Sequence, residues 1–272
     1  MENRPVSQHD APTQLLRDSE WQMSFGERAA LEGLLAAVRP ALAIEIGTAE
    51  GGSLERVAAY SERVHSFDLN FDLMPADRRA ALENVTFHAG DSHVLLPELL
   101  KELADAGQNV DFVLVDGDHS SEGVKKDMED LLVSDAIQRT VIVAHDTINE
   151  VVRDGLERVR YEDFPKVAYV ELDMVAGHLF QEPALLNEMW GGIGLVLVDA
   201  SQTADGDPHQ SRYYEAFQIT RAMRDQSAVH EQLAESQRNL ARAQEALESI
   251  KSSPSWRLTA PLRRLKHAVR DR

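Results

Sequence analysis

With 272 residues and 43% hydrophobic side chains, the chain has room for one full α/β domain plus an appendage, and enough apolar surface for a sizeable core. A net charge of −18 argues against nucleic-acid binding by the body of the protein, since phosphate contacts rely on lysine and arginine. The lack of cysteine removes disulfides, thiolate chemistry and cysteine-held zinc. A polar start and no long apolar run predict a cytoplasmic protein without signal peptide or membrane span.

In chain order, residues 1–20, with Pro5 and Pro12 among polar neighbours, read as a flexible N-terminal arm. Ser24 and Glu27 have the spacing of a capping box, so a helix is expected from Phe25 to Val38. Pro40 ends it, and Ala41 to Ile46 reads as a central parallel strand, apolar on both faces except at Glu45. A glycine-rich turn follows, Gly47-Thr48-Ala49-Glu50-Gly51-Gly52-Ser53, and leads straight into a helix. Strand, glycine turn and helix N-terminus bring backbone N–H groups close to a nucleotide-like ligand. The dinucleotide fingerprint would need glycine where Ala49 stands, which argues against a nicotinamide cofactor.

Val64 to Leu69 is the second strand, and Asp68 lies about twenty residues past the turn, where an acid can accept ribose hydroxyls. The structural alternative is a strand-ending Asp that caps a turn. Further strands are Val85 to His88, Val110 to Val115 and Thr140 to Ala144, with helices from His93 to Ala106 and from Ser120 or Ser121 to Leu132. Strands alternating with helical stretches mean βαβ units and a parallel sheet, whose ligands bind at the carboxyl ends of the strands. Lys166 to Asp173 and Ile193 to Asp199 complete an expected seven-stranded, Rossmann-like, mostly parallel sheet with helices on both faces. Between those two strands an irregular loop holds His178, Phe180, Trp190 and Gly191-Gly192.

From residue 213 to 251 the apolar residues Val229, Leu233, Leu240, Ala243, Leu247 and Ile250 follow a 3–4 spacing, as in a coiled-coil-like helix able to join a second copy. Residues 252–272 form a basic tail with Trp256, Leu258, Leu262, Leu265 and Val269 among the arginines. Such a segment can lie on an anionic membrane surface, on a partner protein or on the acidic body itself.

Residues with chemistry stand at the strand ends. Asp116 and Asp146 converge if strands 4 and 5 are neighbours, and two carboxylates with water suit Mg²⁺; His145 adds an imidazole that favours a transition metal. The structural alternative has both acids ordering their own turns. His119, on the loop leaving strand 4, is a candidate base for a substrate hydroxyl.

The combination resembles class I S-adenosylmethionine-dependent methyltransferases. It rests on Glu45-Ile-Gly47-Thr-Ala-Glu-Gly51-Gly52-Ser53, Asp68, Gly90-Asp91-Ser92, Asp116-Gly-Asp118-His119 and His145-Asp146-Thr147. The metal-dependent O-methyltransferases and the bacterial group acting on sugars and antibiotic precursors are most similar, over about residues 22–200, within a domain expected at 21–212. The resemblance implies that Glu45, Gly47 and Ser53, with Thr48, Gly51 and Gly52 in the same turn, hold the methionine part of the cofactor. It implies Asp68 on the ribose, Asp91 and Ser92 beside the adenine, Asp116 near both cofactor and metal, and a metal on Asp116, His145 and Asp146. His119 falls where the small-molecule O-methyltransferases have a catalytic lysine, and His145 where a carboxylate is common.

The tail Ser252-Ser-Pro-Ser-Trp256-Arg257 to Arg264 looks like a segment of surface-polysaccharide biosynthesis enzymes. It implies a saccharide or related small acceptor in glycan assembly or natural-product synthesis, and peripheral contact with the inner face of the membrane or a glycan-assembly partner. Two rivals are a nicotinamide-dependent oxidoreductase and a non-catalytic scaffold.

Overall fold

A computed structural model describes residues 21–180, 185, 187–202 and 214–253. The expected N-terminal arm and the part of the basic tail beyond residue 253 lie outside the described residues.

The first helix, α1 (Phe25–Val38), begins at the expected capping box: the Ser24 N–H donates to Glu27 Oε2 at 2.5 Å, and the Glu27 N–H to Ser24 Oγ at 3.4 Å. Strand β1 (Leu42–Ile46) follows, buried at all five positions, then α2 (Gly52–Tyr60) and β2 (Arg63–Asp68). Next come α3 (Ala76–Ala81), β3 (Val85–Ala89), α4 (Ser92–Asp105) and β4 (Phe112–Val115). Helix α5 (Ser121–Val133) is capped by Ser120, whose Oγ accepts from the Gly123 N–H at 3.0 Å. Strand β5 (Arg139–His145), α6 (Glu150–Glu157), β6 (Val167–Val175), β7 (His178–Leu179), β8 (Met189–Trp190) and β9 (Ile193–Asp199) complete the body.

Seven strands form one sheet in the order β3-β2-β1-β4-β5-β9-β6, with β9 antiparallel to both its neighbours. The reversal of order beside β1 and β4 is the topological switch point, and their carboxyl ends carry the turn at Gly47 and the acid Asp116. Alternation along β1 divides the core. Leu42, Ile44 and Ile46 pack with Leu96 and Leu100 of α4 and Met128 and Leu131 of α5. Ala43 faces the opposite layer, where Leu31 and Leu35 of α1 meet Leu54 and Val57 of α2. A side chain such as Ile44, 0% exposed, contributes roughly 1.5–3 kcal/mol through burial. The sheet edge at β6 and β9 matches the two last expected strands. The hairpin of β7 and β8 was not legible, because two-residue strands give no alternation to read.

The chain divides into two compact units, Met1–Arg221 and Ala222–Arg272, with the division inside α7 (Tyr214–Ser252). At its start Phe217 is buried with Ile148 and Met189. Farther on, the seam residues Val229, Leu233, Leu240, Leu247 and Ile250 are exposed. No described helix is long and apolar enough to cross a membrane.

Candidate active site

A cleft of about 1460 Å³ opens at the carboxyl ends of the parallel strands. Pockets for one small molecule run to about 300–1,000 Å³, so this one has room for two ligands side by side.

One wall is the glycine turn. Gly47 has φ +86°, and a Cβ there would sit 2.0 Å from the backbone oxygen of Asp116, so only glycine lets β1 and β4 end this close together. Asp68 Oδ2 accepts the N–H groups of Thr48 at 2.9 Å and Ala49 at 3.1 Å, and Oδ1 that of Asn70 at 3.2 Å. A carboxylate offers about four lone-pair sites, so Asp68 orders the turn and still has capacity for a hydroxyl from the cleft it lines. Thr48 turns its hydroxyl to Ser66 at 2.6 Å and presents its backbone to the turn. Gly52 and Ser53 line the cleft, whereas Gly51 packs on Met74 behind it. Glu45 is also behind the wall, 0% exposed: Ser53 Oγ donates to its Oε1 at 2.7 Å, and its Oε2 has no partner. Burial raises its pKa well above the usual range despite the Ser53 hydrogen bond, and the charges of Asp116 and Asp68 add to the rise.

At the far end of the same wall, Asp91 caps α4 by accepting the His93 N–H at 2.9 Å. Asp91, Ser92 and His93 all line the cleft. Ser92 Oγ points to Asp127 Oδ1 at 3.4 Å, a residue of α5 that is 0% exposed and whose Oδ2 is unpartnered.

Beside the turn, at the ends of β4 and β5, is a cluster of charged groups. His145, ending β5, lies with Nδ1 3.1 Å from Asp116 Oδ1 and Nε2 3.2 Å from Glu27 Oε1. Burial alone would push this imidazole down, but Asp116 and the hydrogen bonds to Asp146 and Glu27 hold its pKa well above the ordinary value. It is an imidazolium clasped by carboxylates. Glu27, which burial would raise, is lowered to about 2 by the His145 hydrogen bond and charge. Glu27 Oε1 also accepts the Gly192 N–H at 2.5 Å. Asp146 has φ +56°, a left-handed conformation that costs a non-glycine residue energy; its Oδ1 accepts the Gly191 N–H at 2.6 Å.

His119 Nε2 is 3.4 Å from Asp116 Oδ1 and 3.4 Å from Asp146 Oδ2, and its ring meets Trp190 edge-on at 5.6 Å. The Asp116 hydrogen bond raises its pKa against the opposing effect of burial. One donor atom each from Asp116, His119 and Asp146 lies within 4.8 Å of the others, the arrangement of a divalent-cation site. This set differs from the expected one at one position. Both ring nitrogens of His145 already face carboxylates, and His119 stands nearer the open cleft.

The cluster joins α1, β4, β5 and the turn before β9, and residues 44–147 match a family model described as a methyltransferase domain. That stretch holds the end of β1, the glycine turn and β2 to β5. The sheet, with the antiparallel strand β9 inserted between β5 and the edge strand β6, is a Rossmann-like arrangement. Among solved structures, the chain is similar to an O-methyltransferase from Bacillus cereus in complex with S-adenosylhomocysteine. That likeness has 20% identity, covers 70% of this chain and 87% of the other, and has a TM-score of 0.47. The O-methyltransferase TomG from Streptomyces achromogenes, involved in tomaymycin synthesis and in complex with S-adenosylmethionine, is 17% identical over 73% of this chain and 91% of its own, with a TM-score of 0.48. No curated protein matches the chain.

Sequence reasoning missed Glu27 as part of the site. Its capping-box position explained it locally, and nothing in the linear order signals that the same carboxylate reaches His145 and Gly192. Trp190 was noted only as a loop residue; an aromatic directly before a glycine pair was the available signal.

Proposed function

We propose that this chain is an S-adenosylmethionine-dependent O-methyltransferase that methylates a hydroxyl of a saccharide or related small acceptor. The observation that carries the reading is the convergence of Asp116, His119 and Asp146 in the same cleft as the Gly47–Ser53 turn. The residues present fit the cofactor. The α2 N-terminus at Gly52 and Ser53 suits a carboxylate, the orphaned Oε2 of Glu45 lies behind Ser53, and Asp68 retains capacity for ribose hydroxyls. Asp91, Ser92 and His93 are left for the adenine. The cofactor supplies a methyl group on a positively charged sulfur.

Asp116 and Asp146 both face Nε2 of His119, so the proton resides there and Nδ1 carries the lone pair. His119 Nδ1 would take the proton of the acceptor hydroxyl and pass it on to solvent, while the cofactor, held by the Gly47–Ser53 turn and Asp68, would supply the methyl group. Glu27 and His145 hold Asp116 in place, and Trp190 packs along the His119 ring.

A second reading follows from the same 4.8 Å grouping: Asp116, His119 Nε2 and Asp146 hold a divalent cation, which would lower the pKa of the acceptor hydroxyl. Two carboxylates and an imidazole suit Mn²⁺ or another transition metal better than Mg²⁺. His119 then carries its remaining proton on Nδ1 and is no base. The decisive experiment is a labelled methyl-transfer screen over glycans and small hydroxylated acceptors, with and without Mg²⁺ or Mn²⁺. Under the base reading His119→Ala lowers turnover by about 10²–10⁴-fold, leaves S-adenosylhomocysteine binding intact, and chelator has no effect. Loss of activity in chelator, restored by Mn²⁺, favours the cation. Stabilisation by NADH and not by S-adenosylhomocysteine would end the methyltransferase reading.

Outside the cleft, the exposed seam of α7 supports association with a second copy, which sedimentation velocity tests. The tail of residues 252–272 supports peripheral contact with an anionic membrane or a glycan-assembly partner at the cytoplasmic face, tested by vesicle co-sedimentation with and without it.

A further inference from the structure

Six carboxylates line the described cleft: Glu50, Asp68, Asp91, Asp116, Asp118 and Asp146. Among the described lining residues there is no lysine or arginine. Imidazoles are the only cationic side chains there, and three of the four already face carboxylates: His145 lies between Glu27 and Asp116, His119 between Asp116 and Asp146, and His93 beside Asp91 and Asp127. The fourth, His178, meets Phe180 edge-on at 4.5 Å. Arg28, close to the mouth in α1, is turned inward. Its Nε donates to the Met23 carbonyl at 2.7 Å, its Nη2 to the Trp21 carbonyl at 2.5 Å, and it is 8% exposed.

Sites that bind phosphate or carboxylate groups present guanidinium or ammonium donors, or backbone N–H groups at a helix start. Three helix starts border the cleft: those of α1 and α4 are capped by Ser24 and Asp91, and that of α2, which has no side-chain cap, lies on the cofactor's side. The cleft also offers Trp21, Phe180 and Trp190 among the carboxylates. Aromatic faces suit the C–H face of a pyranose, and they attract an ammonium group as well. The net charge of −18 extends the same preference to the approach of the acceptor from solution.

We propose that the acceptor is a saccharide without phosphate or carboxylate, a neutral or amino sugar, in preference to a nucleotide-linked, phosphorylated or uronic one. This rests on the methyl-transfer reading above and narrows its acceptor class.

The test uses the full chain, S-adenosylmethionine labelled in its methyl group, and matched pyranoses: methyl glucoside, glucosamine, glucuronic acid, glucose 6-phosphate and UDP-glucose. S-adenosylhomocysteine thermal shift serves as the control for an intact cofactor site. The expected result is a kcat/KM for the neutral and amino sugars at least ~10-fold above that of the three anionic ones, since like charges brought together across a site cost several kcal/mol. The gap should narrow as salt rises from about 0.05 to 0.5 M, because screening acts on the charged members. Methylation led by any anionic sugar, or a gap that salt leaves unchanged, overturns the inference while leaving methyl transfer to saccharides standing. Methylation of none of the five, with the thermal shift retained, overturns the saccharide reading and this inference with it.

Discussion

The two walls of the cleft are built in opposite ways. The cofactor wall comes largely from one continuous stretch, Gly47 to Ser53, held by backbone hydrogen bonds to Asp68. The second wall draws Glu27, Asp116, His119, His145 and Asp146 from distant parts of the chain and holds them by charge. Local backbone conformation fixes the first, and tertiary ion pairing fixes the second. The first should therefore respond most to steric change and the second most to loss of a charge.

The largest effect is expected at Gly47. An alanine Cβ would meet the Asp116 backbone oxygen at 2.0 Å, in a left-handed conformation, and no flexible side chain stands there to give way. Gly47→Ala should cost about 4–6 kcal/mol from strain and overpacking together. Gly107→Ala is the control. Its φ is +64° but nothing lies within 4 Å of the added Cβ, so only the conformational cost of about 1 kcal/mol remains. Urea denaturation of both variants checks this, and equal losses would refute the steric account of the cofactor wall.

Next is Glu27. Its removal leaves the His145 imidazolium buried with one carboxylate partner fewer and the Gly192 N–H without its acceptor. Glu27→Ala should destabilise by about 3–5 kcal/mol. Glu27→Gln keeps an acceptor oxygen for Gly192 but not the charge, so it should recover only part of the loss. If both variants unfold at the wild-type midpoint, charge does not hold this wall.

This contrast also explains what the sequence made legible. The turn, Asp68 and the strand-end acids could be read because each is a local pattern repeated at one edge of a parallel sheet. The seven strands could be read because hydrophobic runs alternate with helical stretches. The pairing of Glu27 with His145 spans 118 positions and has no local trace. His145 was expected as a metal ligand because it stands beside Asp146 at the end of β5, where its imidazole could join the two carboxylates. Only the geometry reveals that both its nitrogens are engaged and that His119 completes the closer grouping. Glu45 shows the converse: its place in the motif was clear, while its burial and raised pKa depend on the packing of α2 over β1.

The smallest effect tests an exception within the cofactor wall. Behind Ser92 and His93, Asp127 is fully buried, and burial raises its pKa to about 7, with Asp130 and Asp118 adding to the rise and His93 and Ser92 opposing it. In the unfolded chain it titrates near 3.8. Below that pH both states carry the proton and Asp127 makes no difference to stability. Between 3.8 and about 7 the unfolded chain has released its proton while the folded one retains it, so folding loses stability as pH rises, and above 7 the penalty is constant. Asp127→Asn removes the ionisable group and keeps an oxygen for the Ser92 hydroxyl. The variant should therefore exceed wild type by on the order of 2–3 kcal/mol at pH 8, and the gain should vanish toward pH 4. Thermal melts from pH 4 to 8 read this directly. A gain independent of pH would mean that Asp127 acts through packing, and that the cofactor wall is backbone-built throughout.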